Sequence, residues 1–310
     1  MTLEQILEDL KTDRVKKCIL DSDMYNEMDD QYALAYCLGC DKINLLSINA
    51  APFDNGRTPN FETGMEASYR ETFRVLEVCH KNDGSIPVYE GSRVRYSADN
   101  NYAPIDSPAA RNIIKTVKES DETIYVLTTG CCSNVTSAYL MDPSIADNMC
   151  VIWLGGHLLE HDNCEEFNLI QDYAAGQLLI NNDIPLILLP ACGPDSTKGT
   201  QALRCGFDEL CKLVGDNDPQ KFFREAFPME FVHEEHMQDK LAEWRRVIWD
   251  IAAPGVISVP EAYTFSIIPA PIFGDNRKYG FDKTRHNIIY MERLDKDIVF
   301  ADTWASINSL

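Results

Sequence analysis

The sequence is poor in positive charge. Its 310 residues include 28 Lys and Arg but 49 Asp and Glu, which gives a formal net charge of −21. A surface of this sign repels phosphate backbones and anionic lipid headgroups. The two dense basic groups, at residues 11–17 and at Arg245–Arg246, lie among acidic residues. We therefore expect neither nucleic acid nor a membrane as a partner, and a small-molecule site that attracts a divalent cation fits the charge better.

Long hydrophobic runs are also missing. The longest apolar runs, such as residues 184–192, are far shorter than the roughly 20 residues that a membrane-spanning helix needs. The N-terminus shows no charged and then apolar leader with a small-residue cleavage site. These features predict a cytoplasmic protein. No internal repeat or low-complexity tract divides the chain, so we expect a single domain over residues 1–310.

The cysteines do not form a recognisable metal or disulfide pattern. There are 11 of them in a long chain without a secretory leader, which favours reduced thiols over a disulfide scaffold. Cys37 and Cys40 form one C-x-x-C pair, but a zinc site needs a second pair or nearby histidines. We expect both to be buried helix residues. The same interpretation covers Cys131 and Cys132, although these lie near the proposed site and are candidates for solvent access.

Strand-like and helix-like segments alternate along the first two thirds of the chain. Apolar runs of strand length occur at residues 17–21, 43–51, 86–89, 123–128, 149–154 and 184–190. Segments of helical periodicity occur between them, at 31–40, 64–80, 109–118, 133–140 and 173–181. This alternation predicts an α/β fold with an open, mostly parallel sheet covered by helices on both faces. In such sheets ligands bind beyond the carboxyl ends of the strands.

Five acidic residues fall within ten positions after the first predicted strand. They are Asp21, Asp23, Glu27, Asp29 and Asp30. At separations near 4 Å each pair of carboxylates repels by about 4 kcal/mol at an effective dielectric of 20. A helix N-terminus offsets only about 0.3 to 1 kcal/mol per anion, so a hard divalent cation accounts better for the cluster. The alternative is that one aspartate caps the helix and the others face solvent.

Further polar residues follow the other predicted strands and complete a family resemblance. Asp21-x-Asp23 with Asp29-Asp30 resembles the Asp-x-Asp-Pro-Gly-x-Asp-Asp signature of the inosine-uridine-preferring nucleoside hydrolases, with two residues inserted. The segments 129–135, 155–156, 166–168 and 172–175 are similar to later motifs of that family, in the same order. Trp249-Asp250 stands where the family usually has His-Asp. The resemblance covers most of the chain, from about residue 17 to 254, and implies a Rossmann-like nucleoside hydrolase fold.

The resemblance implies a calcium-dependent N-ribosyl hydrolase active in nucleoside salvage. It assigns the calcium ligands to Asp23, Asp30, Asp250 and the backbone carbonyl of Thr129, which are hard oxygen donors of the kind calcium prefers. Asp23 would also act as the general base on a water whose pKa the ion lowers. The family also suggests a homo-oligomer, either a dimer or a tetramer.

Ribose contacts and the leaving base complete the expected site. The resemblance assigns the sugar to Asp29, Glu166 and Asn168, with Asp54 or Asn55 as a further contact. For Glu166 and Asn168 a solvated turn after a strand is the alternative. Trp249 can stack on an aromatic base but carries no proton that titrates near neutral pH.

The acid that assists the leaving group must therefore come from another residue. The candidates are His233 and His236 in a charged, helical segment at about 216–243, which we expect to cover the site, and His157 and His161 beside the glycine pair. The longer loop between Asp23 and Asp30 lacks the family's proline and glycine, so Asn26 or Glu27 is a further candidate for contact with the ligand.

Two other functions stay open at this level. Asp21, Asp23 and Thr128, with Gly274-Asp275, imitate the motifs of a haloacid dehalogenase-like phosphatase that uses magnesium. That scheme leaves Glu166, Asn168 and Asp250 without a role. The replacement of histidine by Trp249 also fits a non-catalytic protein that binds ribose or a nucleoside.

Overall fold

The computed structural model describes residues 1–226 and 245–310, and a single eight-stranded sheet organises them. The strands, in chain order and including four short ones outside this sheet, are β1 (Lys16–Ser22), β2 (Ile43–Ala50), β3 (Val88–Glu90), β4 (Ile124–Thr128), β5 (Met149–Leu154), β6 (Leu186–Leu189), β7 (Arg204–Gly206), β8 (Arg245–Val247), β9 (Tyr263–Pro269), β10 (Ile272–Phe273), β11 (Tyr279–Gly280) and β12 (Asn287–Leu294). The helices are α1 (Leu3–Leu10), α2 (Asp29–Gly39), α3 (Phe61–Val78), α4 (Pro108–Glu119), α5 (Ser133–Met141), α6 (Phe167–Gln171), α7 (Tyr173–Asn181), α8 (Phe207–Leu213), α9 (Ala252–Ser258) and α10 (Lys296–Asn308).

The sheet has the order β3-β2-β1-β4-β5-β6-β12-β9. All neighbouring strands are parallel except β9, which runs antiparallel to β12 at one edge. The chain order reverses on either side of β1, so β1 and β4 are neighbours although two strands and three helices separate them in sequence. This topology confirms the predicted α/β fold with an open, mostly parallel sheet.

The apolar residues of the central strands alternate between two cores, one on each face. In β1, Cys18 and Leu20 belong to one core and Ile19 to the other. In β4, Tyr125 and Val126 divide in the same way. Helices α2, α9 and α10 supply apolar side chains to the first core, and α4, α5 and α7 supply them to the second. Because both faces are covered, the middle of each of these strands is a continuous apolar run, residues 18–20 in β1 and 124–127 in β4.

Helix α2 begins two residues earlier than its apolar pattern suggested. Met28 is the N-cap residue and makes no side-chain capping bond, so Asp29 and Asp30 both lie in the first turn. Their side chains are 4% and 1% exposed. The alternative of one capping aspartate beside solvent-facing acids is therefore wrong, and the carboxylates are buried at the positive end of the helix dipole.

The C-terminal third contains strands that the periodicity analysis did not assign. β12 enters the sheet parallel to β6 and also pairs with β9. The strand β9 is only half-buried along most of its length, because it lies at the sheet edge and one side has no neighbour. Its apolar signal is correspondingly weak, which explains why the sequence pattern ended at residue 190.

The predicted helical segment at 216–243 is described only in part. A π-helical turn spans Phe222–Ala226, and residues 227–244, with His233 and His236, lie outside the described residues. The proposed covering role of this segment stays a prediction. In the described ranges, no helix combines the length and the apolar character that a membrane crossing requires.

Candidate functional site

A cavity of about 360 Å³ opens beyond the carboxyl ends of the central strands. Its wall contains residues that directly follow β1, β4, β5 and β6, as well as the residues just before α9. The lining residues are Asn26, Glu27, Asp29, Asn55, Thr129, Leu154, His157, Glu166, Phe167, Asn168, Ala191, Cys192, Trp249 and Asp250. The position agrees with the general rule that open α/β sheets bind ligands at this edge.

Asp23 lies directly after β1 and is completely buried. Neither of its carboxylate oxygens has a hydrogen-bond partner among the described residues. Gly130, just after β4, allows this close packing, since a Cβ atom there would lie 3.1 Å from the Asp23 nitrogen and 2.9 Å from the Ala51 Cβ. A buried carboxylate without donors is costly, so Asp23 needs a partner that the polypeptide itself does not supply.

Three further carboxylates converge beside Asp23. One oxygen from each of Asp29, Asp30 and Asp250 lies within 4.8 Å of the others. Oδ1 of Asp30 accepts hydrogen bonds from the Ser22 hydroxyl and, at 3.2 Å, from the Thr129 hydroxyl, while Oδ2 is buried without a partner. The tightest group thus contains Asp29, which the family resemblance assigned to ribose, together with two of the expected calcium ligands.

Burial raises the pKa values of these acids. Burial is the main cause for Asp23, and the negative charges of Asp30 and Asp29 add to it. Asp250 shows the same pattern, with burial first and then repulsion from its acidic neighbours. Burial raises the pKa of Asp30 to about 6, against the effect of its hydrogen bonds. A bound cation reverses this balance, because it stabilises the charged forms.

Glu166 and Asn168 lie on the opposite wall and are buried, at 4% and 5% exposure. Glu166 is the N-cap of α6 and accepts hydrogen bonds from the backbone nitrogens of Gly156, Asn168 and Leu169 at 3.1, 2.9 and 3.0 Å. Burial raises its pKa to about 7. The Asn168 amide donates to the Thr129 carbonyl at 2.9 Å. A solvated turn is therefore the wrong description of this segment, and both side chains have fixed positions at the cavity.

The Thr129 carbonyl contributes to the same corner. Asn168 occupies one of its two lone pairs, and the second is free to bind an ion or a ligand hydroxyl. Thr129 itself is 1% exposed and lies directly after β4. Strand geometry thus places this oxygen, as it places Asp23.

The loop after β1 forms one side of the cavity mouth. Asn26 and Glu27 both line the cavity, as their positions in the longer loop suggested. The Asn55 amide donates to Asn26 Oδ1 at 2.7 Å. The Arg57 guanidinium donates to the Tyr25 and Asn26 carbonyls at 2.7 and 2.9 Å and lies 4.3 Å from the Tyr25 ring centre. The loop is therefore fastened to the segment that follows β2.

Asp54 and Asn55 have different surroundings. Asn55 lines the cavity, whereas the Asp54 carboxylate pairs with Arg95 at 3.3 Å and is 37% exposed. The Asp54 backbone nitrogen donates to Gln171 Oε1 at 2.7 Å. In the part of the chain that the structure describes, Asn55 is thus the one of the two that faces the cavity.

Trp249 and Asp250 approach from the segment before α9. The Trp249 nitrogen donates to Asp29 Oδ2 at 3.2 Å, which connects this segment to the first turn of α2. Trp249 lines the cavity and also packs against the first core. An aromatic residue therefore lies beside the carboxylate cluster.

The histidines divide between the cavity and its surroundings. His157 lines the cavity, and the His161 ring lies 4.4 Å from the His157 ring, centre to centre. Burial, with a smaller effect from His161, lowers the pKa of His157 to about 4. His157 is consequently neutral at physiological pH.

The residues that imitate phosphatase motifs do not assemble. Asp21 is fully buried and accepts hydrogen bonds from Asn134 and Asn49 at 3.1 and 3.3 Å. Asp275 accepts a hydrogen bond from Gln177 at 2.9 Å. Amide groups of the protein thus occupy the carboxylates of both aspartates, and the arrangement does not favour phosphoryl transfer through Asp21.

The structure corrects the expected solvent access of two cysteines and adds two residues to the site. Cys131 and Cys132 are 0% and 1% exposed, so solvent access to them is excluded by their packing beneath the site. Cys37 and Cys40 are buried, as expected. Ala191 and Cys192 line the cavity but were not identified from the sequence. The available signal was their position just after β6, at the same sheet edge as the other site residues.

Among curated proteins, the chain is similar to ribonucleoside hydrolases. Pyrimidine-specific ribonucleoside hydrolase RihB of Escherichia coli (strain SE11) is 27% identical over 208 residues, which are 60% of this chain and 61% of that protein. The chain thus matches less than two thirds of the length of this curated relative.

Solved structures resemble the fold over nearly its whole extent. A plant nucleoside hydrolase, the PpNRh1 enzyme, has a TM-score of 0.72 at 17% identity and covers 95% of this chain and 99% of its own. A purine-preferring ribonucleoside hydrolase from Gardnerella vaginalis has a TM-score of 0.72 at 18% identity and covers 94% of this chain and 98% of its own. These similarities establish a shared fold.

The family model for inosine-uridine preferring nucleoside hydrolases matches residues 18–297. That range contains the five buried carboxylates at or beside the cavity, which are Asp23, Asp29, Asp30, Glu166 and Asp250, and all of the eight-stranded sheet except the first two residues of β1. The chain therefore belongs to the inosine-uridine preferring nucleoside hydrolase family.

Proposed function

We propose that this protein hydrolyses the N-glycosidic bond of a ribonucleoside or related N-riboside, giving ribose and the free base, with the help of a bound calcium ion. The observation that carries the proposal is the convergence of buried carboxylates from three distant segments beside one cavity. Asp29 and Asp250 line the cavity, Asp30 lies within 4.8 Å of both, and the completely buried Asp23 is close enough for the charges of Asp30 and Asp29 to raise its pKa. Membership of the family supports this reaction class.

The carboxylate cluster fits a hard cation. Both oxygens of Asp23 and one of Asp30 are buried and have no hydrogen-bond partner among the described residues. We propose Asp23, Asp30, Asp250 and the Thr129 carbonyl as ligands, all oxygen donors suited to calcium. When bound, the ion would supply a Lewis acid that holds the ribose diol and lowers the pKa of the attacking water.

The residues of the chain provide the remaining functions. Asp23 would accept a proton from the attacking water as general base. Asp29, Asn55, Glu166 and Asn168 would hydrogen-bond the ribose hydroxyls, and such bonds can strengthen as positive charge develops on the sugar. Burial fixes the orientation of Asp29, Glu166 and Asn168 before substrate binds, and the hydrogen bond from the exposed Asn55 amide to Asn26 holds Asn55.

Trp249 defines the environment of the base. Trp249 lines the cavity next to Asp250, and its indole ring would offer a flat apolar surface for stacking. Relatives are described as pyrimidine-specific and as purine-preferring, so the assay needs both kinds of nucleoside.

The test is a calcium-supplemented assay of purified protein with uridine, cytidine, inosine, adenosine and nitrophenyl riboside, in which free ribose and free base are measured. We expect equimolar release of ribose and base from at least one nucleoside. Tight ribose binding without hydrolysis of any riboside would instead establish a non-catalytic binding protein. Phosphate release from phosphate esters with magnesium would support the phosphatase alternative.

The assignment of Asp23 as general base gives the first mutational prediction. Asp23→Asn keeps the shape of the side chain but removes its basicity, so we expect a rate loss on the order of 10² to 10⁴. Asp295→Asn is the matched control, since Asp295 is an exposed N-cap residue at the start of α10. Calcium binding to each variant is measured by calorimetry. Full activity of Asp23→Asn would refute the assignment.

The setting of the protein follows as a further part of the proposal. We propose a cytoplasmic homo-oligomer, a dimer or a tetramer, that acts in nucleoside salvage on a small-molecule substrate. The burial of nine of the 11 cysteines as free thiols supports a reducing compartment. Light scattering of the purified protein would measure the oligomeric state, and a monomer would contradict this part.

A further inference from the structure

His157 occupies a distinctive position in the cavity wall. It follows Gly155 and Gly156 at the end of β5 and lines the cavity together with Trp249 and Asp250. Gly156 has a φ of +71°, a left-handed conformation, and a Cβ there would lie 2.8 Å from the Tyr279 hydroxyl. The glycine turn thus directs the chain from the sheet edge into the cavity wall.

The backbone of His157 is held on both sides. Its nitrogen donates to the Tyr279 hydroxyl at 2.8 Å, and that hydroxyl donates to the His157 carbonyl at 2.6 Å. Tyr279 in turn lies in the short strand β11, which pairs with β10. The histidine is therefore presented by a fixed support, as a precise hydrogen-bonding group requires.

A backbone contact determines which ring nitrogen carries the proton. The Cys192 nitrogen donates to Nδ1 of His157 at 3.4 Å. A backbone N–H can only donate, so Nδ1 is the acceptor and, in the neutral ring, Nε2 carries the hydrogen. No described residue hydrogen-bonds to Nε2, which leaves this N–H for a ligand.

The ring is neutral when it makes this contact. It is partly buried, and the His161 ring 4.4 Å away disfavours a positive charge. Both effects lower the pKa of His157. The residue therefore suits donation of a hydrogen bond rather than transfer of a proton from an imidazolium.

We propose that Nε2–H of His157 donates a hydrogen bond to an acceptor on the departing base and so determines which aglycones the enzyme can release. This inference rests on the proposed hydrolase function. It assigns leaving-group stabilisation to the end of β5, through a hydrogen bond from a neutral donor rather than through proton transfer.

The bond changes balance without a protonated histidine. The water oxygen bonds to the anomeric carbon while the carbon–nitrogen bond breaks. The electron pair of the broken carbon–nitrogen bond moves onto the base. Asp23 takes one proton from the water, and the Nε2–H hydrogen bond stabilises the negative charge on the base. The base is then protonated from solvent, and the proton on Asp23 returns to solvent, so that ribose and neutral base are released.

Two polar substitutions separate the donor from the supporting contact. In His157→Asn, the amide oxygen lies close to the Nδ1 position and can still accept the hydrogen bond from the Cys192 nitrogen. The shorter side chain has no donor at the position of Nε2. His157→Gln places an amide N–H near the Nε2 position. We expect His157→Asn to lower kcat/KM for the preferred nucleoside roughly 10- to 100-fold, the range for a lost hydrogen bond to a developing charge, and His157→Gln to retain most of the activity.

Nitrophenyl riboside provides the internal comparison, since its leaving group departs without assistance. We expect both variants to hydrolyse it at the wild-type rate. His286→Gln is the matched control, because His286 immediately precedes β12 and so lies at the amino ends of the parallel strands, away from the cavity. This variant should hydrolyse both substrates at the wild-type rate. Circular dichroism verifies that each variant is folded.

The outcomes distinguish the two proposals. If wild-type protein hydrolyses nucleosides and His157→Asn does so equally well, the donor role is wrong and the hydrolase function stands. Equal loss on nucleoside and nitrophenyl riboside also overturns the donor role, since it indicates a general disturbance of the site. If the wild type hydrolyses no riboside, both proposals fail together.

Discussion

At the residue scale, the site is a set of buried acidic side chains whose desolvation is unfavourable. Asp23, Asp29, Asp30 and Asp250 are each at most 4% exposed. Hydrogen bonds compensate some oxygens, such as Oδ1 of Asp30, and leave others without donors. Such uncompensated groups are destabilising in a purely structural role, so their persistence indicates function rather than packing.

Asp172 shows how a buried acid makes stability depend on pH. It accepts bonds from the Ser133 hydroxyl at 2.7 Å and from the Tyr96 nitrogen at 3.1 Å, yet burial raises its pKa to about 6. The folded state therefore binds this proton more tightly than the unfolded state does. Its contribution to the free energy of unfolding is largest below about pH 4 and falls by roughly 3 kcal/mol as the pH rises to about 6.

We accordingly expect Asp172→Asn to remove this decline between about pH 4 and pH 6. Urea denaturation at several pH values measures the effect. Asp142→Asn is the control, because the hydrogen bond from the Lys118 side chain lowers the pKa of this half-buried residue, so its contribution is lost only at lower pH. An unchanged pH profile in Asp172→Asn would contradict the assignment.

Most of the residues that line the cavity could be named from the sequence, because strand ends can be recognised. Asp23, Thr129 and Glu166 follow apolar runs, and parallel strands bring their carboxyl ends to one edge. Cys192 was missed because its strand end carries no chemically conspicuous residue. The separation of Asn55 from Asp54 was also beyond the sequence, since it depends on the ion pair between Asp54 and Arg95.

At the scale of elements, the loop between β1 and α2 is the feature that most distinguishes the site. Its length places Asn26 and Glu27 at the cavity mouth. Arg57 fastens it through two carbonyl hydrogen bonds and contact with the Tyr25 ring. The loop has no proline to restrain its backbone, so the contacts with Arg57 restrain it instead.

Removal of this fastening should weaken substrate binding. In Arg57→Met the loop retains apolar contact but loses the hydrogen bonds to its carbonyls. Ordering each freed side chain on binding costs about 0.5 to 1.5 kcal/mol, so we expect KM for the preferred nucleoside to rise roughly 2- to 10-fold. Arg93→Met is the control, since Arg93 forms surface ion pairs with Glu62, Glu66 and Glu90. Equal KM values for both variants would exclude the proposed role of Arg57.

The strand and helix assignments succeeded where burial gives a strong periodic signal. The central strands β1, β4 and β5 and helices α4, α5 and α7 were predicted within a few residues. The edge strand β9 was not, because half-burial weakens the pattern. Entry of β12 into the sheet beside β6 is a long-range pairing, which local periodicity does not encode.

At the scale of the whole molecule, the cation site connects segments far apart in the chain. Asp30 and Asp250 belong to opposite ends of the sequence but share one cluster. An ion bound by the folded state alone adds about 2.7 kcal/mol at a concentration 100 times its Kd. For a domain of this size that corresponds to a rise in Tm on the order of 5 °C.

Calcium removal with a chelator should therefore lower the Tm by about that amount, measured by calorimetry. In Asp250→Asn we expect the calcium-dependent increment to disappear, since a proposed ligand is lost. Asp29→Asn distinguishes the two assignments of that residue: as a ribose contact it leaves the increment intact and weakens ribose binding. Loss of the increment in Asp29→Asn would make this carboxylate a calcium ligand instead.

The pairing of β6 with β12 also affects folding during synthesis. Ile187 and Leu188 find their partners in Ile289 and Tyr290, which leave the ribosome long after them. Until then, the nascent polypeptide carries an open hydrogen-bonding edge in the middle of its future sheet, the kind of edge on which chains aggregate. Early termination of translation before β12 would leave that edge permanently exposed, and truncated products should accordingly depend on chaperones and proteases for their removal.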